Sequence, residues 1–198
     1  MKKIILVTGG ERSGKSSYAE KLALSLSDCP IYMATARIWD EEFRERVKHH
    51  QANRGAQWSN IEEEKQLSKH NVEGRVVLID CITLWATNYF FDLRPEQQNE
   101  VSSTVKSTGY SDEQQKAEEA TQHVKNTLQA LKHEFDRFTQ ADATYIFVSN
   151  EIGLGGIPAD PIQRRFTDML GWMNQYIAQQ ANEVILMISG IPVKIKEQ

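Results

Sequence analysis

The chain has 198 residues, enough for one domain with a substantial core, and its 40% hydrophobic and 25% charged residues are typical of globular proteins. Its net charge of −4 argues against a general nucleic-acid-binding protein, which would usually be basic. Cys29 and Cys81, its two cysteines, are too few for a zinc site or a disulfide framework. No apolar run approaches the roughly 18 residues of a membrane span, and none resembles a signal peptide. We therefore expect a cytoplasmic protein.

The first predicted elements are a strand at 4–8 and a helix at 16–26, and the loop between them carries the strongest motif. Its sequence fits Gly-x-x-x-x-Gly-Lys-Ser/Thr, the phosphate-binding P-loop. Glycines at the fixed positions let the loop turn its N–H groups toward phosphate oxygens. Lys15 would reach the β- and γ-phosphates, and the Ser16 hydroxyl would bind Mg²⁺. The predicted phosphate-binding residues are Gly9, Gly10, Glu11, Arg12, Ser13, Gly14, Lys15 and Ser16.

The rest of the chain continues the alternation of strand and helix. The clearest helix is 116–139, where apolar residues recur at helical spacing. Apolar strands between helices predict a mainly parallel sheet covered on both faces, that is, a single-domain α/β fold of the P-loop NTPase type. The predicted strands are 31–35, 75–80, 144–149 and 184–188, and the predicted helices are 39–54, 84–93, 116–139 and 161–181.

A polar segment at about 94–115 interrupts this pattern. It is rich in Gln, Ser, Glu and Thr and shows no apolar periodicity. We expect it to be a solvent-exposed insertion in a domain that spans residues 1–198, because such a composition cannot bury much apolar surface. A role as a lid over the site stays open.

Asp80 ends the apolar run 76–79. A carboxylate at the end of a strand beside the P-loop strand would hold Mg²⁺ directly or through water, so Ser16 and Asp80 are the predicted metal ligands. A helix cap or an exposed aspartate is the competing interpretation.

The predicted helix 39–54 places Arg46, His50 and Arg54 on one face. Two guanidinium groups beside an imidazole suit a polyphosphate and favour the neutral, nucleophilic form of the ring. His49 points about 100° away from that face. A solvated basic helix face explains the same pattern without any catalysis.

Two further features leave their interpretation open. The three glutamates at 62–64 are typical of an acidic surface patch or a solvated helix start. The loop at 150–158 carries three glycines and a proline directly after a predicted strand. Loops at the carboxyl ends of parallel strands often bind ligands, but a structural turn has the same composition.

Taken together, the motifs at 5–16, 32–36, 46–50, 78–83, 149–153 and 189–194 resemble those of the bifunctional adenosylcobinamide kinase/adenosylcobinamide-phosphate guanylyltransferase family. The resemblance implies two reactions. In the first, ATP or GTP phosphorylates the aminopropanol hydroxyl of adenosylcobinamide. In the second, GMP passes from GTP to that phosphate through a GMP–histidine intermediate, giving adenosylcobinamide-GDP and pyrophosphate.

The same resemblance implies roles for particular residues. His50 matches the histidine nucleophile, and Glu62 gains a position in the GTP site, where we assign it to the guanine edge. It also implies Mg²⁺ as the cofactor and a homotrimer. Departures from the family pattern include Gln51, where a lysine is common, and the run at 155–158. Besides the P-loop, the implied nucleotide contacts are Ala34, Thr35, Ala36, Gln51, Ala52, Asn53, Arg54, Glu62 and Asp80.

Three other functions are compatible with parts of this pattern. A simple P-loop kinase would use the P-loop and Asp80 but not His50. A nucleotide-operated switch would be expected to carry an Asn-Lys-x-Asp guanine motif, which the sequence lacks. A guanylyltransferase that has lost its kinase activity is also possible, because no residue stands out in the sequence as the base of the kinase step.

Overall fold

The structure is a computed structural model that describes residues 1–38, 41, 55–93 and 110–197. In these ranges the chain forms one seven-stranded sheet with helices on both faces. The strands are β1 (Lys3–Gly9), β2 (Ile31–Ala34), β3 (Ser59–Glu62), β4 (Val76–Asp80), β5 (Thr144–Asn150), β6 (Glu183–Ile188) and β7 (Ile191–Glu197). The helices are α1 (Lys15–Leu26), α2 (Ile82–Asp92), α3 (Tyr110–Phe138) and α4 (Pro161–Gln180).

The strand order in the sheet is β3-β2-β4-β5-β1-β6-β7. Neighbouring strands pair in parallel, except that β7 runs antiparallel to β6. The carboxyl ends of β1 to β6 therefore lie along one edge of the sheet, which we call the carboxyl edge. The predicted α/β fold with a mainly parallel sheet is confirmed.

Alternate residues of β1 show how the sheet separates two cores. Ile4 and Leu6 face a cluster with α2, α3 and α4, whereas Ile5 and Val7 face a smaller cluster with α1. All four side chains are almost fully buried, and each such burial stabilises the fold by about 1.5–3 kcal/mol. The continuous apolar run of β1 thus reflects burial on both faces.

The helix α3 differs from its prediction at its start. It begins at Tyr110 and not at the predicted Lys116, so residues 110–115 of the polar segment belong to this helix. Glutamate, glutamine and lysine are good helix formers, so a polar sequence can begin a helix without an apolar stripe. None of the described helices is long and apolar enough to cross a bilayer.

Two strands were not predicted, β3 and β7. Both lie at the ends of the sheet, and most of their side chains are half-buried or exposed. The predicted helix 39–54, apart from residue 41, and the part of the predicted polar segment at 94–109 lie outside the described residues.

Candidate functional site

The loop between β1 and α1 has the backbone that a P-loop requires. Gly9 has φ 153°, and a Cβ atom there would lie 2.5 Å from the carbonyl oxygen of Met187. Gly14 has φ 90° and caps α1 without any side-chain hydrogen bond. The first N–H groups of α1 therefore stay available to an anion, as at other phosphate-binding helix starts.

The opposite wall of this loop is formed by the β6–β7 turn. The backbone N–H of Gly190 donates to the carbonyl oxygen of Ser13 at 3.0 Å, and Arg12 adopts a left-handed conformation with φ 58°. Glu11 and Arg12 are exposed, whereas Ser13 is buried. The C-terminal hairpin thus holds the loop in shape.

Lys15 is buried inside the loop, with 7% of its surface exposed. Its Nζ donates to the carbonyl oxygen of Gly10 at 2.5 Å and lies 3.5 Å from Ser13 Oγ. Burial lowers the pKa of Lys15, while the carboxylates of Asp80 and Glu11 oppose the shift. In the part of the chain that the structure describes, no carboxylate forms an ion pair with Lys15, so its charge is available to a phosphate group.

Asp80 lies at the carboxyl end of β4, half-buried. The prediction that its strand is beside the P-loop strand is wrong, because β5 lies between β4 and β1. The order of the strands in the sheet cannot be predicted from apolar runs alone. Asp80 still acts on the charge of Lys15, and its Oδ2 accepts a 2.7 Å hydrogen bond from the hydroxyl of Tyr32, which packs edge-on against Trp58. Tyr32 lies in the motif at 32–36, but no sequence pattern indicated a role for its side chain.

The Ser16 hydroxyl and the Asp80 carboxylate suit Mg²⁺, a cation that prefers oxygen ligands and keeps several waters and phosphate oxygens. Ser16 is half-buried in the first turn of α1. Within the described ranges, no group of three or more His, Cys, Asp and Glu side chains could hold a metal ion by itself. The residues therefore fit a cation that arrives with a nucleotide.

The residues at the end of β2 and just after it make hydrogen bonds within the protein. Thr35 is fully buried, and its Oγ1 donates to the carbonyl oxygen of Cys81 at 2.7 Å. Its backbone N–H donates to Asp80 O, and its carbonyl oxygen accepts from Asn88 Nδ2 at 2.8 Å. Ala34 accepts from the N–H of Glu63. Thr35 thus locks β2 to β4, and Ala36 follows as a half-buried residue at the carboxyl edge.

Glu62 is exposed at the end of β3, the outermost strand. Four strand spacings, roughly 19 Å, separate β3 from β1. The structure therefore brings Glu62 near Ala34 and not near the P-loop.

Glu63, the next residue, is buried. Burial alone would raise the pKa of its carboxyl group, but hydrogen bonds from Lys69, the N–H groups of Lys65 and Gln66, and His70 lower it to about 2. The interpretation of the three glutamates as a surface patch or helix start is therefore wrong for Glu63. Only the fold brings these donors together.

A second charged cluster joins α2 to the ends of β2 and β3. Both terminal nitrogens of Arg37 donate to the carboxylate of Asp92, at 2.7 and 2.8 Å, and its Nε donates to Glu64 at 2.7 Å. Lys65 also pairs with Asp92, at 2.7 Å. These hydrogen bonds hold the pKa of Asp92 well below its usual range.

The loop after β5 lies directly beside the P-loop. The N–H of Glu151 donates to the carbonyl oxygen of Gly9 at 3.0 Å, and the N–H of Asn150 donates to Thr83 Oγ1 at 3.0 Å. A cleft of about 370 Å³ opens along this loop toward the start of α4. Its lining is mostly apolar and includes Phe91, Ile152, Ile157, Pro158, Ile162 and Phe166.

The remaining predicted site residues, His50, Gln51, Ala52, Asn53 and Arg54, lie outside the described residues. Along the carboxyl edge, Ala34 and Glu62 lie at the β3 end and the P-loop lies on the far side of β5. Asp80 lies between them, opposite Ala34 in the pairing of β4 with β2. A parallel α/β sheet with this loop, a buried lysine and a strand-end carboxylate defines a P-loop nucleotide-binding protein.

Comparisons with known proteins identify the family. Residues 5–195 match the family model described as cobinamide kinase / cobinamide phosphate guanyltransferase, and the chain belongs to that family. It is 34% identical over 197 residues to a protein of Escherichia coli K12 named bifunctional adenosylcobalamin biosynthesis protein CobU, with 98% of this chain and 99% of that protein covered. The protein of the same name from Salmonella typhimurium LT2 is 35% identical over 199 residues, with the same shares covered.

Among solved structures, the flagellar accessory protein FlaH of Methanocaldococcus jannaschii superposes with a TM-score of 0.46 at 15% sequence identity. The match covers 99% of this chain and 79% of that one.

Proposed function

We propose that the protein phosphorylates adenosylcobinamide with ATP or GTP and then transfers GMP from GTP to the adenosylcobinamide phosphate. The products of the second step are adenosylcobinamide-GDP and pyrophosphate. The observation that carries the proposal is the complete P-loop with its buried Lys15, which has no carboxylate partner among the described residues, in a chain whose family unites these two activities.

For the first step, the P-loop would bind the triphosphate. The loop N–H groups and Lys15 would hold the β- and γ-phosphates and offset the charge that develops as the γ-phosphoryl group leaves. Ser16 and Asp80 would hold Mg²⁺, which when bound would neutralise phosphate charge. Tyr32 would orient Asp80 through the hydrogen bond to Oδ2.

For the second step, His50 would be the nucleophile. Its imidazole nitrogen would attack the α-phosphorus of GTP, and pyrophosphate would leave. The phosphate of the second substrate would then attack the phosphoramidate and release His50, so that a difficult transfer becomes two easier ones. Gln51, Ala52, Asn53 and Arg54 would contact the nucleotide, and Glu62 would accept from the guanine N–H groups.

The proposal includes two further properties, a homotrimeric assembly and a cytoplasmic location. Both come from the family resemblance and the sequence. Light scattering of the purified protein would test the first property.

The experiment that tests this function uses purified protein, Mg²⁺ and GTP labelled at the α- or the γ-phosphate. We expect acid-labile, alkali-stable label on the denatured protein from α-labelled GTP alone. His50→Ala should abolish this label, whereas the matched variant His49→Ala should keep it. Unlabelled protein that still binds GTP would contradict the guanylyltransferase function and favour a simple kinase or a nucleotide switch.

A further inference from the structure

The kinase step requires a group that accepts the proton of the attacking hydroxyl. No residue could be assigned this role from the sequence. Most carboxylates of the described carboxyl edge already have partners. Asp80 accepts from Tyr32, and Glu63 accepts from Lys69 and His70. Arg37 engages both Glu64 and Asp92. Carboxylates held in this way are poorly placed to take up a substrate proton.

Glu151 differs from these carboxylates. Its backbone N–H bonds to Gly9 O at 3.0 Å, which fixes it against the first residue of the P-loop. Its side chain is half-buried, and among the described residues no donor hydrogen-bonds or ion-pairs with its carboxylate. Oε1 lies over Gly153, where an added Cβ would come within 3.2 Å of it. The backbone of Glu151 is therefore held at the P-loop, and its carboxylate lies beside the turn that leads into the cleft.

The cleft lies on the side of the sheet that a phosphate acceptor needs. The P-loop continues into α1, which packs on one face of the sheet, whereas the cleft is bounded by α2 and α4, which pack on the other. In-line phosphoryl transfer requires the attacking and leaving oxygens on opposite sides of the γ-phosphorus. A nucleotide held by the P-loop and an acceptor held in the cleft would approach each other from different sides, as that requirement demands.

The lining of the cleft indicates the chemistry of the acceptor. Ile157 reaches its mouth with 89% of its surface exposed, and Phe91 and Phe166 form part of its wall. Such a surface favours the apolar part of a large organic molecule over a sugar or a second nucleotide. At about 370 Å³, the cleft holds one portion of such a molecule and leaves the rest in solvent.

We propose that Glu151 is the general base of the phosphoryl transfer and that the cleft beside it binds the organic part of the alcohol acceptor. This inference rests on the proposed kinase function. The hydroxyl proton passes to the Glu151 carboxylate as the acceptor oxygen bonds to the γ-phosphorus. The bond from that phosphorus to the β–γ bridging oxygen breaks, and the nucleoside diphosphate leaves. The base then returns its proton to solvent.

The variant Glu151→Gln tests the assignment of Glu151 as the base. The control is Glu118→Gln, because Glu118 is an exposed residue of α3. Two reactions are measured: γ-phosphate transfer to adenosylcobinamide, and GMP transfer to adenosylcobinamide phosphate supplied ready-made. We expect Glu151→Gln to lower kcat of the first by about 10²–10⁴-fold and to remove the acidic limb of its pH profile. GMP transfer should stay within about threefold of wild type, and Glu151→Asp should recover part of the kinase activity.

Each other outcome overturns a defined part of this scheme. Kinase activity within about threefold of wild type in Glu151→Gln overturns the assignment of the base and leaves the proposed function standing. Loss of both reactions, or a lowered melting temperature, assigns Glu151 a structural role and also overturns it. A wild-type protein that transfers no γ-phosphate overturns the proposed kinase function, and this inference with it.

Ile157→Ser tests the cleft, with Leu26→Ser, an exposed leucine at the end of α1, as the control. Because Ile157 is exposed, its replacement should not affect folding. We expect KM for adenosylcobinamide to rise about tenfold while KM for the nucleotide stays unchanged. An unchanged KM for the acceptor would place its binding site elsewhere.

Discussion

At the P-loop end of the carboxyl edge, Lys15 is buried against a backbone carbonyl oxygen and a hydroxyl group, with no carboxylate partner among the described residues. At the other end, formed by β2, β3 and α2, the charged groups pair with one another. Glu63 is held by Lys69 and His70, and Arg37 holds Asp92.

This contrast separates a binding site from a structural clamp. A buried charge without a counterion costs free energy, so its environment is complete only when an anion is present. Charges that satisfy one another stabilise the fold and leave little capacity for a ligand. We therefore expect substitution of Lys15 to change activity, and substitution of the mutually paired charged groups at the other end to change stability.

The largest effect should come from Lys15→Met. We expect kcat/KM of phosphoryl transfer to fall about 10³-fold, because a charge aimed at the transferred group is lost. The free energy of unfolding should stay the same or rise, because the pKa of Lys15 is lowered by burial. Urea titration checks stability, and Lys21→Met, at an exposed position of α1, is the control. Marked destabilisation by Lys15→Met would show that Lys15 also stabilises the fold, and would contradict the distinction between the two ends.

Next in size is Glu63→Gln, which removes a buried charge while its donors remain. We expect a loss of about 2 kcal/mol in the free energy of unfolding at neutral pH. The pKa of Glu63 is about 2 in the folded protein and near 4.5 when unfolded, so this stabilisation is complete above 4.5 and disappears as the pH falls toward 2.

Urea titrations of wild type and Glu63→Gln across this pH range measure the effect, with Glu118→Gln as the control. The difference between wild type and Glu63→Gln should narrow in acid. A difference that is independent of pH would show that the carboxylate charge is not its source.

A smaller effect is expected for Tyr32→Phe, because the Tyr32 hydroxyl links β2 to Asp80 of β4. Loss of the hydroxyl removes one hydrogen bond to Asp80, worth about 1 kcal/mol. If Asp80 holds Mg²⁺, the cation should bind the protein–GTP complex roughly tenfold more weakly. Mn²⁺ titration followed by electron paramagnetic resonance measures this affinity without turnover, and Tyr18→Phe is the control. Unchanged Mn²⁺ affinity would remove Tyr32 from the site.

The smallest effect should come from Asp92→Asn. Its ion pairs with Arg37 and Lys65 are about one-third exposed and therefore screened by solvent, so we expect a loss under about 1 kcal/mol. The loss should shrink when the salt concentration rises. Thermal melts at low and high salt provide the measurement, and a large, salt-independent loss would show that this cluster is a packing element.

Much of this molecule could be predicted from its sequence. β1, β4 and β5 have uninterrupted apolar runs because both faces of the sheet are covered, and the P-loop lies where its glycines place it. Family membership, inferred from motifs, was confirmed by the comparisons. The role of His50 stays a prediction.

Other features depend on contacts between distant parts of the chain. β3 is short, half-exposed and at an edge, so its four residues carry no strand signal of their own. The buried Glu63 is contacted by Lys69 and His70. The run of three glutamates contains no pattern from which these contacts could be predicted. The position of β5 between Asp80 and the P-loop comes from strand order, which no local pattern encodes.

That strand order also constrains how the protein is made. In the finished sheet, β1 pairs with β5 and β6, whose residues follow it by well over a hundred positions. A chain emerging from the ribosome exposes its glycine-rich loop early but cannot give β1 a neighbour until residues 144–150 have been translated. The hairpin that closes over Ser13 comes later still. The nascent polypeptide therefore gains its nucleotide pocket near the end of synthesis, and early release would leave an apolar strand without a partner.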